Sequence, residues 1–251
     1  MKIDLNSDLG ESFGAYKLGM DSEILKFVSS VNIACGFHAG DPMVMDRTVE
    51  MALENNVKIG AHPGMPDLMG FGRRIMNITE EEARNYVIYQ VGALKAFVES
   101  RGGKLNHVKA HGALYNMAAK DLKLSEAIVG AVKSIDPQLI IFGLPNSETE
   151  KAAVAAGLKF KNEVFADRGY TDEGVLVPRS QPGAFVKGAE NCADRIAVMV
   201  QQGQVKSASG KIVQIKADTV CVHGDNDEAL SFVKTLKERL ENLGFIISAV
   251  R

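Results

Sequence analysis

Short apolar runs rich in β-branched residues alternate with helical patterns along the chain, and this alternation limits the possible folds more than any other feature of the sequence. It is typical of βα units, which build a parallel sheet with helices packed outside it. We expect an α/β protein whose seven or eight units close into a (β/α) barrel, with an open doubly wound sheet as the alternative. The predicted strands are Lys2–Asn6, Val31–Cys35, Val57–Ala61, His107–Ala110, Leu139–Gly143, Lys159–Ala166, Thr219–Val222 and Phe245–Ala249.

The segments between these runs begin with residues that start helices. Asp41-Pro42 predicts an N-cap followed by proline at the first helical position. Thr79 and Glu82 predict a capping box at the start of a long helix. Because no linker or low-complexity segment interrupts the pattern, we predict a single barrel domain over residues 1–251.

The composition is that of a globular protein. Of the 251 residues, 46% are hydrophobic and 24% are charged, and the formal net charge is −2. With no basic stripe, this balance does not indicate nucleic acid as a partner. The N-terminus lacks the apolar segment of a signal peptide, and no apolar run is long enough to span a bilayer. Cys35, Cys192 and Cys221 are too widely spaced for a disulfide framework or a zinc cluster, so we expect a reduced, cytoplasmic protein.

Polar residues share one face of several predicted strands. Because side chains alternate along a strand, Asp4 and Asn6 lie opposite Ile3 and Leu5. Barrel lumens are normally packed with branched apolar residues, so a polar lumen needs a purpose. Active sites in such barrels lie at the C-terminal ends of the strands. Four of the five histidines occur at these ends: His38, His62, His111 and His223.

The candidate site consists of ionisable and polar residues at these strand ends. The candidates for acid/base catalysis are Asp4, Asp8, Glu11, His38, His62, His111 and His223. Lysine and arginine suit carboxylate or phosphate oxygens, and the candidates for substrate binding are Asn6, Lys109, Asp167, Arg168, Arg179 and Asp225. We assign no residue as a metal ligand, and the use of a divalent metal remains open.

Simpler explanations compete with a functional one at several positions. Asp41 is more simply a helix N-cap, and Asp225 fits a cap as well as a site residue. His107 lies at the start of its predicted strand, where a structural role is simpler. Cys35 shares its strand face with Ile33, which predicts a core side chain rather than a nucleophile.

Seven motifs at the strand ends, taken together, resemble the LamB/YcsF family: DLNSDLGE, NIACGFHAGD, GAHPGMPD, VKAHGALYN, FADRGY, LVPRS and VCVHGDN. They run from Asp4 to Asn226 and so cover nearly the whole chain. The resemblance implies a barrel of the glycoside hydrolase/deacetylase type. It also implies ATP-dependent opening of the 5-oxoproline lactam to L-glutamate, together with partner subunits B and C.

The sequence offers no phosphate-binding loop. Gly210-Lys211 is followed by Ile212 where a P-loop needs Ser or Thr, and Gly203 lies too far upstream. This fits a chain that relies on its partner subunits for ATP. Two other functions remain open: a metal-dependent amidohydrolase or deacetylase, in which Asp and His hold an ion that activates water, and a non-catalytic barrel that scaffolds partner proteins. A homo-oligomer also remains open.

Overall fold

The computed structural model describes residues 1–222 and 227–250. Within these residues seven parallel strands close into a barrel, because the last strand of the ring, Thr219–Val222, pairs with both the first, Lys2–Leu9, and the sixth, Lys159–Phe165. The predicted (β/α) barrel is confirmed, and the open sheet is wrong. In barrel order the strands are β1 (Lys2–Leu9), β2 (Ser30–Ala34), β3 (Lys58–His62), β4 (Leu105–Lys109), β5 (Ile140–Gly143), β6 (Lys159–Phe165) and β9 (Thr219–Val222).

Three further strands lie outside the barrel closure. β10 (Ile246–Ile247) falls in the predicted eighth strand and pairs with Lys2 and Ile3 at the start of β1. Since β9 pairs with the following residues of β1, β10 extends an edge and does not enter the ring. β7 (Gln204–Lys206) and β8 (Ile212–Gln214) form a separate antiparallel pair.

Helices connect the strands on the outside of the barrel. Asp41 accepts hydrogen bonds from the backbone N–H groups of Met43 and Val44, and Thr79 and Glu82 form a reciprocal capping box, so both predicted helix starts are confirmed. None of the described helices combines the length and apolar character needed to cross a bilayer. The helices are α1 (Asp21–Ile24), α2 (Pro42–Glu54), α3 (Glu80–Ser100), α4 (Gly112–Ala118), α5 (Leu122–Ile135), α6 (Glu148–Ala156), α7 (Ala189–Gln202) and α8 (Asp227–Asn242).

The hydrophobic core lies between the strands and the helices. Ile3 and Leu5 of β1 and Val31 and Ile33 of β2 are buried there, on the apolar faces that the alternation predicts. Burying one such side chain contributes about 1.5–3 kcal/mol. The opposite faces point into the lumen and carry polar residues to the strand ends. That residues 1–251 form one domain stays a prediction.

Candidate active site

Asp4 occupies the deep end of the lumen. Its carboxylate accepts hydrogen bonds from the hydroxyls of Ser29 (2.5 Å), Ser30 (2.8 Å) and Thr219 (2.5 Å). Burial raises the pKa of Asp4, although these hydrogen bonds oppose the shift. The carboxylate does not line the cavity described below. Asp4 is a predicted catalytic candidate. In the structure its hydrogen bonds link β1 to β9 and to the residues at the start of β2.

The next layer of the lumen is an amide and imidazole network. Asn32 donates to Asn6 Oδ1 (2.7 Å) and Asp8 Oδ1 (2.8 Å), and its own Oδ1 accepts from His107 Nε2 (2.8 Å). Burial lowers the pKa of His107 to about 3, so this ring is neutral. A Cβ at Gly60 would lie 2.1 Å from His107 Nε2, so only glycine fits opposite it. These contacts agree with a structural His107 and place Asn6, a predicted substrate ligand, below the cavity.

A cavity of about 720 Å³ opens at the C-terminal ends of the strands. Its size suits a small-molecule ligand. It brings together seven of the predicted residues: Asp8, Glu11, His62, Lys109, His111, Arg168 and Arg179. His38 packs directly against His111, whereas Asp167 is not among the lining residues. His223 and Asp225 lie outside the described residues.

Lys109, the last residue of β4, is the central charge of the site. Its Nζ lies 2.9 Å from Asp8 Oδ1, 2.8 Å from Glu163 Oε1 and 3.2 Å from Cys221 Sγ. Burial acts to lower the pKa of Lys109, but the neighbouring anionic groups outweigh it and hold the pKa well above its ordinary value. The ammonium is therefore charged, and its partners compensate for the loss of water.

Glu163 and Tyr115 belong to the site but are absent from the predicted set. Glu163 is fully buried in β6, and its Oε2 accepts a hydrogen bond from the Tyr115 hydroxyl at 2.8 Å. The prediction for β6 uses only the residues after its end, Asp167 and Arg168. The face alternation within the strand, with Glu163 two residues before Phe165, was the signal that could have found it.

Three histidines meet at the wall of the cavity. His38 follows β2, His62 ends β3 and His111 is the N-cap of α4. The rings of His38 and His111 stack with centroids 3.6 Å apart, and His62 is perpendicular to both. Glu11 Oε1 lies 3.4 Å from His38 Nε2 and 3.8 Å from His111 Nδ1, and Asp8 Oδ2 lies 3.3 Å from His62 Nε2. Imidazoles and carboxylates are thus close enough to exchange protons.

A tight loop holds the stacked rings in place. Phe71 has a backbone φ of 53°, and its carbonyl accepts a hydrogen bond from His111 Nε2 at 2.8 Å. A Cβ at Gly72 would lie 2.7 Å from His38 Cβ and 2.9 Å from His111 Cδ2. Burial, with the neighbouring His62, lowers the pKa of His111 to about 3, and burial also lowers the pKa of His38. Both rings are neutral and can act as bases or ligands.

Arginines surround the mouth of the cavity. Arg168 donates to the carbonyls of Ala184 and Val177 and so anchors the long loop after β6. The guanidinium groups of Arg168 and Arg179 lie over the ring of Phe185, at 5.3 and 5.4 Å from its centroid. Arg73, which is not in the predicted set, also lines the cavity.

Comparison with solved structures supports the fold. A family 4 carbohydrate esterase from Streptomyces lividans aligns over 100% of this chain and 93% of its own with a TM-score of 0.51, at 7% identity, and so shows the fold alone. The lactam utilization protein of Thermus thermophilus aligns over 100% of both chains with a TM-score of 0.95 at 44% identity.

Curated sequences give the same relationship at higher identity. The 5-oxoprolinase A subunit of Campylobacter jejuni subsp. jejuni serotype O:6 is 58% identical over 240 residues, which cover 96% of this chain and 94% of that protein. The 5-oxoprolinase A subunit of Bacillus subtilis strain 168 is 55% identical over 249 residues, with coverage of 99% and 97%. The LamB/YcsF family profile matches residues 3–251. As its seven strand-end motifs predict, this chain belongs to the LamB/YcsF family.

Proposed function

We propose that this chain is the A subunit of an ATP-dependent 5-oxoprolinase and that it opens the 5-oxoproline lactam to L-glutamate by hydrolysis of an activated intermediate. The observation that carries the proposal is the set of Asp8, Lys109 and paired histidines beside one cavity of substrate size. The names of the relatives, 5-oxoprolinase A subunit and lactam utilization protein, support a cyclic amide as the substrate.

The reaction sets clear chemical demands. A lactam is a resonance-stabilised amide and a poor electrophile, and phosphorylation of its oxygen by ATP gives a better one. Water then attacks the ring carbon, and the C–N bond breaks as the ring nitrogen takes up a proton. The resulting acyl phosphate reacts with a second water and gives L-glutamate and inorganic phosphate. Such a site needs a base for water, an acid for the nitrogen and a cation for the developing oxyanion.

The cavity contains a candidate for each role. Asp8 is our candidate for the base, because Asn32 and Lys109 hold its Oδ1 while Oδ2 lies beside His62. Lys109 is the candidate for the cation. His62 is the candidate for proton transfer to the ring nitrogen, whereas the neutral ring of His111 is a further candidate for the base.

The mouth of the cavity suits an anionic substrate. Arg73, Arg168 and Arg179 line it, and guanidinium groups bind carboxylates and phosphates through paired hydrogen bonds. We assign Arg73 and Arg179 to the carboxylate of 5-oxoproline or to the phosphate of the intermediate. Arg168 adds positive charge while its Nε and Nη2 donate to loop carbonyls.

We further propose that partner subunits B and C supply the ATP site, since the sequence has no P-loop. Calorimetry tests this part. We expect weak or no ATP binding to the isolated chain, whereas tight equimolar binding would contradict the assignment of the nucleotide to the partners.

The central test is 5-oxoproline-dependent glutamate formation by the chain reconstituted with subunits B and C and ATP. We expect activity only when this chain is present, and a loss of about 10²-fold or more in Asp8→Asn, as for removal of one acid/base group. Asp194→Asn is the control, because Asp194 is a surface carboxylate paired with Arg239. Subunits B and C that form glutamate equally well without this chain would overturn the proposal.

A second candidate, metal-dependent amide hydrolysis without ATP, is favoured by the group of Glu11, His38, His62 and His111. Chelator-sensitive lactam opening by the isolated chain in the absence of ATP would select it. The number of buried ionisable groups at the cavity argues against a purely scaffolding barrel.

A further inference from the structure

We propose that Glu11, His38, His62 and His111 bind one divalent first-row transition-metal ion, such as Zn²⁺, through one carboxylate oxygen and three imidazole nitrogens. This inference goes beyond the proposed function and concerns binding rather than turnover. An ion bound here would occupy the facing nitrogens of His62 and His111 and so compete with the proton-transfer roles proposed for them. The four residues come from the ends of four consecutive parallel strands.

The spacing of the ligand atoms suits a single ion. The four ligand atoms all lie within 4.8 Å of one another. His62 Nε2 and His111 Nδ1 are 3.0 Å apart, and Glu11 Oε1 is 3.4 Å from His38 Nε2. Since Zn–N bonds are about 2.0–2.1 Å long, two ligands of one ion lie at most about 4.2 Å apart. Side-chain adjustments bring the widest pair into range, and one of the two stacked rings, His38 or His111, must tilt so that both direct a nitrogen at the same ion.

Backbone carbonyls fix which nitrogens are available. His62 Nδ1 lies 2.7 Å from the Lys109 carbonyl, and His111 Nε2 lies 2.8 Å from the Phe71 carbonyl. A carbonyl only accepts, so each of these nitrogens carries a hydrogen, and in a neutral imidazole the other ring nitrogen then carries a lone pair. The two lone pairs then face each other at 3.0 Å. A cation between the two nitrogens removes this repulsion. In metal-bound histidines the ring nitrogen that does not bind the metal usually donates to a carbonyl or carboxylate, as His62 Nδ1 and His111 Nε2 do here.

His38 supplies an independent observation. Its side chain is 0% exposed, and neither ring nitrogen has a hydrogen-bond partner among the described residues. A Cβ at Gly64 would lie 2.6 Å from His38 Nδ1, so glycine allows the close packing of this side of the ring. The opposite nitrogen, Nε2, is directed toward Glu11. Burying imidazole nitrogens that make no hydrogen bond is costly, and a metal ion at Nε2 supplies a bond that the described part of the chain does not.

A proton shared between His62 and His111 is the competing explanation. It would satisfy the facing nitrogens of that pair, but both ring nitrogens of His38 would still make no hydrogen bond to the described residues. It also does not account for Glu11, whose oxygen lies within 4 Å of both His38 and His111. One ion bound by all four residues accounts for the close contacts among these four side chains.

The test uses the full chain, freed of metal with a chelator and titrated with Zn²⁺ and Co²⁺. We expect one equivalent of either ion per chain by calorimetry, with competition between the two ions and a visible Co²⁺ absorption band. Glu11→Gln and His38→Gln should each weaken binding at least about tenfold. Glu11→Gln is the safer variant for folding, because its side chain is partly accessible at 11%.

The matched control is His107→Gln, which removes a buried histidine that already has partners on both ring nitrogens. We expect this variant to bind one equivalent with wild-type affinity while it remains folded in a thermal melt. Failure of the wild-type chain to bind either ion, or wild-type binding by both ligand variants, would overturn the proposal. Weak binding at several sites that is equal in all variants would count against it in the same way.

Discussion

Lys109 Nζ and Glu163 Oε1 lie 2.8 Å apart across the barrel lumen, and both side chains are almost completely buried. The pair joins β4 to β6, while Asp8 joins the same ammonium to β1. A buried charge that loses its partner is strongly unfavourable, whereas an intact pair is nearly neutral in free energy. The site therefore depends on these charges being present together.

Removal of one partner should reveal this dependence. We expect Glu163→Gln to lower the free energy of unfolding by up to about 3–5 kcal/mol, because Lys109 loses one of its two carboxylates. Denaturant melts of Glu163→Gln, Lys109→Met and the double variant measure the coupling. The double variant should be more stable than the sum of the single losses predicts. Additive losses would show that the two charges do not interact.

Acid should destabilise the protein through His107. This histidine has a pKa of about 3 when folded and 6.5 in the reference state, so the unfolded chain binds the additional proton between these values. The free energy of unfolding therefore falls as the pH decreases from 6.5, by up to about 1.4 kcal/mol per pH unit. His107→Gln should reduce this slope by that amount, as denaturant melts at several pH values with chelator present can measure. An unchanged slope would contradict a neutral buried His107.

A methyl group at position 72 should disturb the stacked histidines. Gly72→Ala places Cβ within 3 Å of atoms in both His38 and His111, at a φ of +62°. Because an active-site displacement of about 1 Å can cost 10²-fold in rate, we expect a loss of that order in reconstituted turnover. Gly130→Ala is the matched control, since a Cβ there meets no atom within 4 Å. It should keep full turnover and gain up to about 1 kcal/mol in helix stability. Equal turnover in both variants would argue against a precise histidine arrangement.

Substitutions of two residues that follow β2, Cys35 and His38, should separate activity from stability. His38→Ala should lower turnover at least about 10²-fold with the chain still folded. Cys35→Ala should mainly lower stability, by about 1 kcal/mol, because Cys35 is packed in the core and burial raises the pKa of its thiol to about 12. Turnover and thermal melts distinguish the two. The opposite result would contradict this assignment: normal turnover in His38→Ala, together with lost turnover and an unchanged melting temperature in Cys35→Ala. Cys35 would then be the site residue and His38 the structural one.

Local sequence patterns predict the barrel and the face of each strand, but they give no depth along the lumen. Asp4 and Asp8 share a face, yet four residues of a strand separate them by about 13 Å. Asp8 consequently reaches the cavity while Asp4 lies among hydroxyls at the other end. Patterns also do not reveal partners across the barrel. Glu163 contacts Lys109 from a strand far away in sequence, and no local feature near either residue encodes that contact.

The hydrogen bond from Thr219 to Asp4 joins residues that are 215 positions apart, and the lumen contact between Lys109 and Cys221 spans 112. During synthesis, Asp4 of β1 and Lys109 of β4 are made before β9, which carries their partners Thr219 and Cys221. We expect water to solvate these groups until closure of the ring replaces that water with the protein hydrogen bonds. Such contacts between distant residues slow folding. We therefore expect the active-site charges to become ordered only in the last, cooperative stage of folding.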